Sequence, residues 1–138
     1  MARLALFLLG PPRVELDGAP ARFDTRKAMA LLAMLSFAEG PVGRDTVAAL
    51  LWPDYAQARA ALRRTLSALQ AVIGFDWIVS DSQELSLRRG DNLFVDVDAF
   101  RDHLQAAPTA PAVDRRARLR EAARLYRDDF LAGFTLRD

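Results

Sequence analysis

The spacing of hydrophobic positions changes character along the chain. Residues 3–9, Arg-Leu-Ala-Leu-Phe-Leu-Leu, are a nearly continuous apolar run stopped by Gly10-Pro11-Pro12, which predicts a strand. From Arg13 to Asp17, Val14 and Leu16 alternate with polar neighbours, the mark of a half-buried strand. Asp17-Gly18 then favours a tight turn into a short strand around residues 21–23. The first 24 residues therefore read as a small antiparallel sheet. From Thr25 the period becomes helical. Ala28, Leu31, Leu32, Leu35 and Ala38 share one face, and Met29, Met34 and Phe37 make the segment apolar on most sides, as in a central buried helix. Gly40-Pro41 ends it.

A second helix is expected from Arg44 to Trp52, with Val47, Leu50 and Leu51 inward and Pro53 closing it. Trp52 reads as a core plug between helices. Asp54 and Gln57 have capping-box spacing and are expected to open a third helix that runs to Ile73 and stops at Gly74. In that helix Leu62, Leu66, Leu69 and Ile73 fall at i, i+4, i+7 and i+11 and form one inward stripe. The opposite side holds Ala60, Arg64, Ser67 and Ala71, with Arg63 and Arg59 on the flank, and no carboxylate lies between Tyr55 and Gly74. Two further strands, 77–79 and 85–87, are joined by the polar stretch Ser80 to Glu84, which is a hairpin. The order sheet, buried helix, short helix, turn, longer basic helix, hairpin is that of a winged helix.

Past Gly90 the character of the chain shifts. Asp96-Val97-Asp98-Ala99-Phe100 reads as a strand end entering a helix to about Ala107, with Asp96 and Asp98 as its capping residues. Residues 108–111 are a linker. A last helix is expected from Val113 to Arg127, with Leu119, Ala123, Tyr126 and then Phe130 on its apolar side. So much apolar surface in a terminal segment predicts that it packs back on the winged helix or self-associates. The fold class is thus α+β, with a winged helix-turn-helix over residues 1–95 and a short all-α segment over 96–138.

Composition narrows the chemistry. The 138 residues are 51% hydrophobic and 27% charged, ordinary for a globular domain. The absence of cysteine excludes thiolate metal sites and thiol nucleophiles, and His103, the single histidine, reads as a plain surface residue. No apolar run approaches the roughly 18 residues of a membrane helix, and no cleavage pattern follows residue 10, so a soluble cytoplasmic protein is expected. There is no phosphate-binding glycine loop, nucleophile elbow or acid–base pair, so no catalysis, cofactor or metal is expected. Net charge is only +1, but the cations are 18 arginines and the single Lys27. Such a bias suits phosphates, and is equally what a coding bias of the source genome would produce, so the bulk charge decides nothing.

The run Leu-Leu-Gly at 8–10, Val14 with Asp17-Gly18, the leucine-rich helix at 28–35 and Arg44-Asp45 before Leu50-Leu51-Trp52-Pro53 resemble the OmpR-type winged helix of SARP-like transcription activators. Residues 58–74 match that family's recognition helix in length and order. Asp96 to Phe100 and Tyr126 to Phe134 look like the entrance to the bacterial transcriptional activation domain. That domain is much longer in the family, so the chain resembles the N-terminal portion of a larger regulator. The resemblance implies double-stranded DNA as the ligand, direct-repeat sites, transcriptional activation, and RNA polymerase and a second copy as partners.

The candidate DNA-binding residues are Arg63, Arg64 and Ser67 on the outer face of the third helix, close enough for base edges or phosphates. Arg59 is a candidate phosphate contact that could instead pair with Asp54. Lys27 and Arg44 sit at helix starts, where backbone N–H groups already favour phosphate, and are candidates for setting register. The wing tip, Asp81-Ser82-Gln83-Glu84, is acidic where wings usually meet phosphate. A rival surface is the stripe Arg116, Arg120, Arg124 and Arg127, which supports the alternative of a protein-interaction module docking through its C-terminal helices.

Overall fold

A computed structural model describes residues 2–136. Its elements are β1 (Leu4–Phe7), β2 (Arg13–Leu16), β3 (Ala19–Ala21), α1 (Arg26–Phe37), β4 (Val42–Gly43), α2 (Arg44–Leu51), α3 (Ala58–Ile73), β5 (Ile78–Ser80), β6 (Glu84–Leu87), β7 (Leu93–Val95), α4 (Asp96–Ala106), a 3-10 turn (Ala107–Thr109) and α5 (Ala112–Leu125). The fold is α+β, as the sequence led us to expect.

One sheet has the order β3-β2-β1-β7 and the other β4-β6-β5. Leu4 and Leu6 alternate inward on β1 and Val14 does so on β2. The β2–β3 hairpin closes through Asp17 and Gly18, both at positive φ (53° and 83°), the geometry of a two-residue turn that matches strand twist. Asp17 Oδ1 also accepts from the Arg3 N–H at 2.7 Å. Two pairings have no local sequence signal. The two-residue β4 joins the wing through Val42 opposite Leu85, and β7 runs parallel to β1 with Leu93 opposite Leu4.

α1 is the central helix. The Thr25 hydroxyl caps it by accepting from the Ala28 N–H, and Leu31, Leu32 and Leu35 are fully buried. α2 and α3 form the helix-turn-helix in front of it, and α3 packs on both α1 and α2. Leu50 points out, 62% exposed, while Val47, Ala48 and Leu51 make the inward face of α2. Trp52 is half-buried against the core, with the Lys27 ammonium 5.4 Å from its ring centre. The expected capping box does not form. Asp54 lies in the turn at φ 59°, and α3 starts at Ala58 without a side-chain cap. At the other end Gly74 stops α3 at φ 94°, and the Trp77 indole N–H donates to the Ile73 carbonyl at 2.8 Å.

The C-terminal segment returns to the sheet. Leu131 N–H donates to the Leu8 carbonyl (2.8 Å), Gly10 N–H to the Asp129 carbonyl (3.0 Å), and the Phe37 and Phe130 rings lie 5.7 Å apart. Phe134 and Leu131 join the edge of the core, so this end does pack back on the winged helix. Its inward residues differ from those expected. On α5 Ala122 is buried and Leu125 half-buried, whereas Leu119 is 47% exposed. Asp96 and Asp98 do not cap α4. Asp96 is fully buried and its two carboxylate oxygens accept from the Leu8 and Leu9 N–H groups at 2.9–3.0 Å, satisfying the end of β1. Asp98 pairs with Arg89 at 2.8 Å. His103 is half-buried rather than plain surface, with its Nδ1 enclosed between α4 and α5.

Candidate nucleic-acid interface

The site is built by the division of α3 into two faces. Leu62, Leu66, Leu69 and Ile73, with Ala61, are buried, which fixes the rotation of the helix about its axis. Arg63, Arg64 and Ser67 are exposed on the other side, Ala68 and Ala71 are exposed in the following turn, and Ala60 is half-buried. Among the described residues Arg63, Arg64 and Ser67 make no hydrogen bond or ion pair with the rest of the fold. Small side chains beside free arginines leave a low, cationic surface that a groove of DNA can approach closely.

The other three candidates are engaged inside the fold. The Arg59 Nε lies 3.3 Å from Asp45 Oδ1 on α2, and its Nη2 donates to the Ser82 carbonyl at 3.3 Å. Its partner is therefore Asp45, not Asp54, because the positive φ of Asp54 places it in the turn ahead of the helix. Arg44 Nε donates to the Asp81 carbonyl at 2.7 Å, and the Arg44 N–H to the Gln83 carbonyl at 2.8 Å. Lys27 donates to the Leu51 carbonyl at the C-terminal end of α2, where a cation complements the helix dipole. Arg63, Arg64 and Ser67 are brought together. Arg44 and Arg59 converge instead on the wing tip, and Lys27 on the end of α2.

The wing tip is shaped from within. Asp81 Oδ1 accepts from the Gln83 and Glu84 N–H groups at 2.7 and 2.8 Å. Those two donors, in that order of importance, hold the Asp81 carboxyl below its ordinary value, slight desolvation opposes them, and the Arg44 charge adds to the lowering. The tip thus spends its first carboxylate on its own turn. Asp45, which sequence reasoning passed over, is the one new member of this arrangement; its only signal was an acid in the first turn of a short helix.

The C-terminal stripe is differently placed. Arg116 and Arg120 are exposed and Arg124 pairs with Glu121 at 2.8 Å, while Arg115, outside the stripe, donates to the Ala107 carbonyl at 3.0 Å. Arg127 lies 3.8 Å from the buried Asp96 and near the Phe7 ring, so it leaves the stripe to support the β1 end. Among the described residues no group of histidine and carboxylate side chains is arranged to hold a metal ion, and no helix is long and apolar enough to cross a membrane.

No family model matches the chain. Over 75 residues it is 37% identical to the transcriptional regulatory protein EmbR of Mycobacterium tuberculosis, and equally to that of Mycobacterium bovis, a match covering 52% of this chain and 19% of the relative. The solved structure of Mycobacterium tuberculosis EmbR in complex with a low affinity phosphopeptide matches 95% of this chain and 38% of that one, with a TM-score of 0.77 and 27% identity. The chain therefore spans well under half the length of these regulators. Sequence and fold similarity together bear out the resemblance to SARP-like regulators and the winged-helix architecture.

Proposed function

We propose, from this similarity to transcriptional regulators, that the chain is the DNA-binding part of a bacterial transcriptional activator. α3 enters the major groove, Arg64 and Ser67 read base edges, and Arg63 holds a phosphate. The observation that carries this reading is the open α3 face: Arg63, Arg64 and Ser67 are exposed and unpartnered among the described residues, on a helix whose other face is locked into the core. Residues 1–95 are the DNA-binding unit in this reading, and 96–138 begin an activation module that meets RNA polymerase or a second copy. The protein works in the cytoplasm and catalyses no reaction.

Selection of bound sequences from a random DNA pool tests the reading, followed by titration of the preferred and scrambled sites at several salt concentrations. Arg64→Ala is expected to cost about 1–3 kcal/mol on the preferred site and to relax preference at one position. Arg63→Ala is expected to weaken binding to all sequences and to reduce the salt slope by about one. A pool that yields no enriched sequence would overturn the proposal.

A further inference from the structure

We propose that Arg59 and Asp45 latch the hairpin tip to the start of α3, making Arg59 a positioning residue rather than a phosphate contact. The role in DNA binding rests on the function proposed above; the latch itself does not. Arg59 is the second residue of α3, where a cation is opposed by the positive end of the helix dipole. α3 has neither a side-chain cap nor an acid in its first turn to offset this. The guanidinium instead leaves the helix end and spans two elements, with Asp45 of α2 on its Nε and the Ser82 carbonyl of the wing on its Nη2.

Arg44, beside Asp45, carries the other half of the fastening. Its side chain holds the Asp81 carbonyl, its N–H holds the Gln83 carbonyl, and the adjoining Gly43 pairs with Glu84 in the β4–β6 ladder. Three consecutive wing-tip residues, Asp81, Ser82 and Gln83, are thus gripped by their carbonyls from the α2–α3 side. Between Val79 and Leu87 the wing has no lysine or arginine, and the Asp81 carboxylate is turned onto its own loop. A tip so composed is poorly suited to phosphate. It is well suited to brace the entry of α3, which sets the depth and direction at which Arg63 and Arg64 emerge a turn later.

Asp45 decides between the two roles, because removing an acid beside a phosphate-binding arginine should strengthen DNA binding, whereas removing half of a latch should weaken selectivity. The test uses the whole 138-residue chain. Asp45→Asn and Arg59→Gln are each expected to speed exchange of the Arg44 amide, which bonds across the latch, by about threefold, the scale of an exposed ion pair. On DNA each is expected to reduce the ratio of preferred-site to scrambled-site affinity by about threefold with the salt slope unchanged. The double variant should be no worse than either single one, and Asp45→Glu should behave as the unsubstituted chain. If Arg59→Gln lowers the salt slope by about one while Asp45→Asn tightens binding, Arg59 is a phosphate contact and the proposal fails. Unchanged amide exchange in both variants also overturns it. Should the unsubstituted chain show no salt-dependent affinity for any DNA, the functional reading fails on its own, and the exchange data still decide the latch.

Discussion

α3 and α5 both carry several arginines, and the fold treats them in opposite ways. α3 buries Ala61, Leu62, Leu66, Leu69 and Ile73, so each outward arginine has one position relative to the wing, the turn and α2. α5 buries Ala122 alone, and its exposed Val113 and Leu119 stand among the arginines rather than beneath them. A basic stripe reads sequence only if the helix beneath it is held to a fraction of a turn, because base-edge hydrogen bonds tolerate little displacement. By that standard α5 has the longer stripe and α3 the better-defined one.

The largest effect that would break this contrast is on stability. Leu69 is fully buried at the centre of the α3 stripe, and Leu69→Ala is expected to cost about 2–5 kcal/mol, measured by chemical denaturation. Leu119→Ala on α5 should stay within about 0.5 kcal/mol, since that side chain is already half in water. Equal losses at the two sites would mean that α5 is anchored as firmly as α3. Next comes Asp96, the point where the C-terminal segment is fastened to the sheet. Asp96→Ala strips two buried backbone N–H groups of their acceptor and is expected to destabilise by about 1–3 kcal/mol. The same denaturation curves should show this loss with DNA preference unaltered, because Asp96 lies on the β1 side of the molecule and not on α3.

Much of α3 was legible in the sequence and little of its surroundings was. The spacing of Leu62, Leu66, Leu69 and Ile73 is a local periodicity, so it revealed both the buried stripe and, by subtraction, the exposed Arg63, Arg64 and Ser67. Asp17-Gly18 was readable for the same reason, since the turn chemistry belongs to two adjacent residues. What stayed hidden is non-local. The carboxylate of Asp96 meets the Leu8 N–H 88 residues away, and a helix-start aspartate looks like a cap until the strand it serves is seen. Nearness in sequence offers Asp54 as one alternative partner for Arg59, but Asp54 lies in the turn and the packing of α2 on α3 brings Asp45 in. Leu119 and Tyr126 looked inward because they are apolar; α5 is instead seated through the small Ala122, which lets it approach α4 closely.

A smaller effect separates the arginines themselves. Replacing both Arg120 and Arg124 with alanine is expected to leave the selected DNA sequence intact, with preferred and scrambled sites weakened by the same modest factor if at all. Binding titrations on the two sites check this. Should that pair abolish binding while Arg63→Ala and Arg64→Ala remain silent, the nucleic-acid surface is α5 and the exposed face of α3 is only a solvated helix side.

The smallest expected change is a pH response confined to the wing. Asp81 is held below the ordinary carboxyl value of 3.8 by the N–H groups of Gln83 and Glu84, with Arg44 contributing. Because its folded value lies below the unfolded one, the stabilisation is complete above pH 3.8 and disappears as pH falls through the folded value. Protonation weakens the acceptor of both turn hydrogen bonds, so the Gln83 and Glu84 amides should lose protection only in strongly acidic solution. Nuclear magnetic resonance titration of the amides from about pH 6 to pH 2 measures it. Asp81→Asn keeps an oxygen acceptor but removes the charge, and should abolish the titration of those two amides while leaving the turn formed. The same spectra extend the comparison of the two helices. Arg44 and Arg59 grip the carbonyls of this loop, so their resonances should move together with Gln83 and Glu84. If Arg116 and Arg120 follow the same transition, the wing is coupled to the far helix as well, and α3 loses its claim to be the element the wing supports.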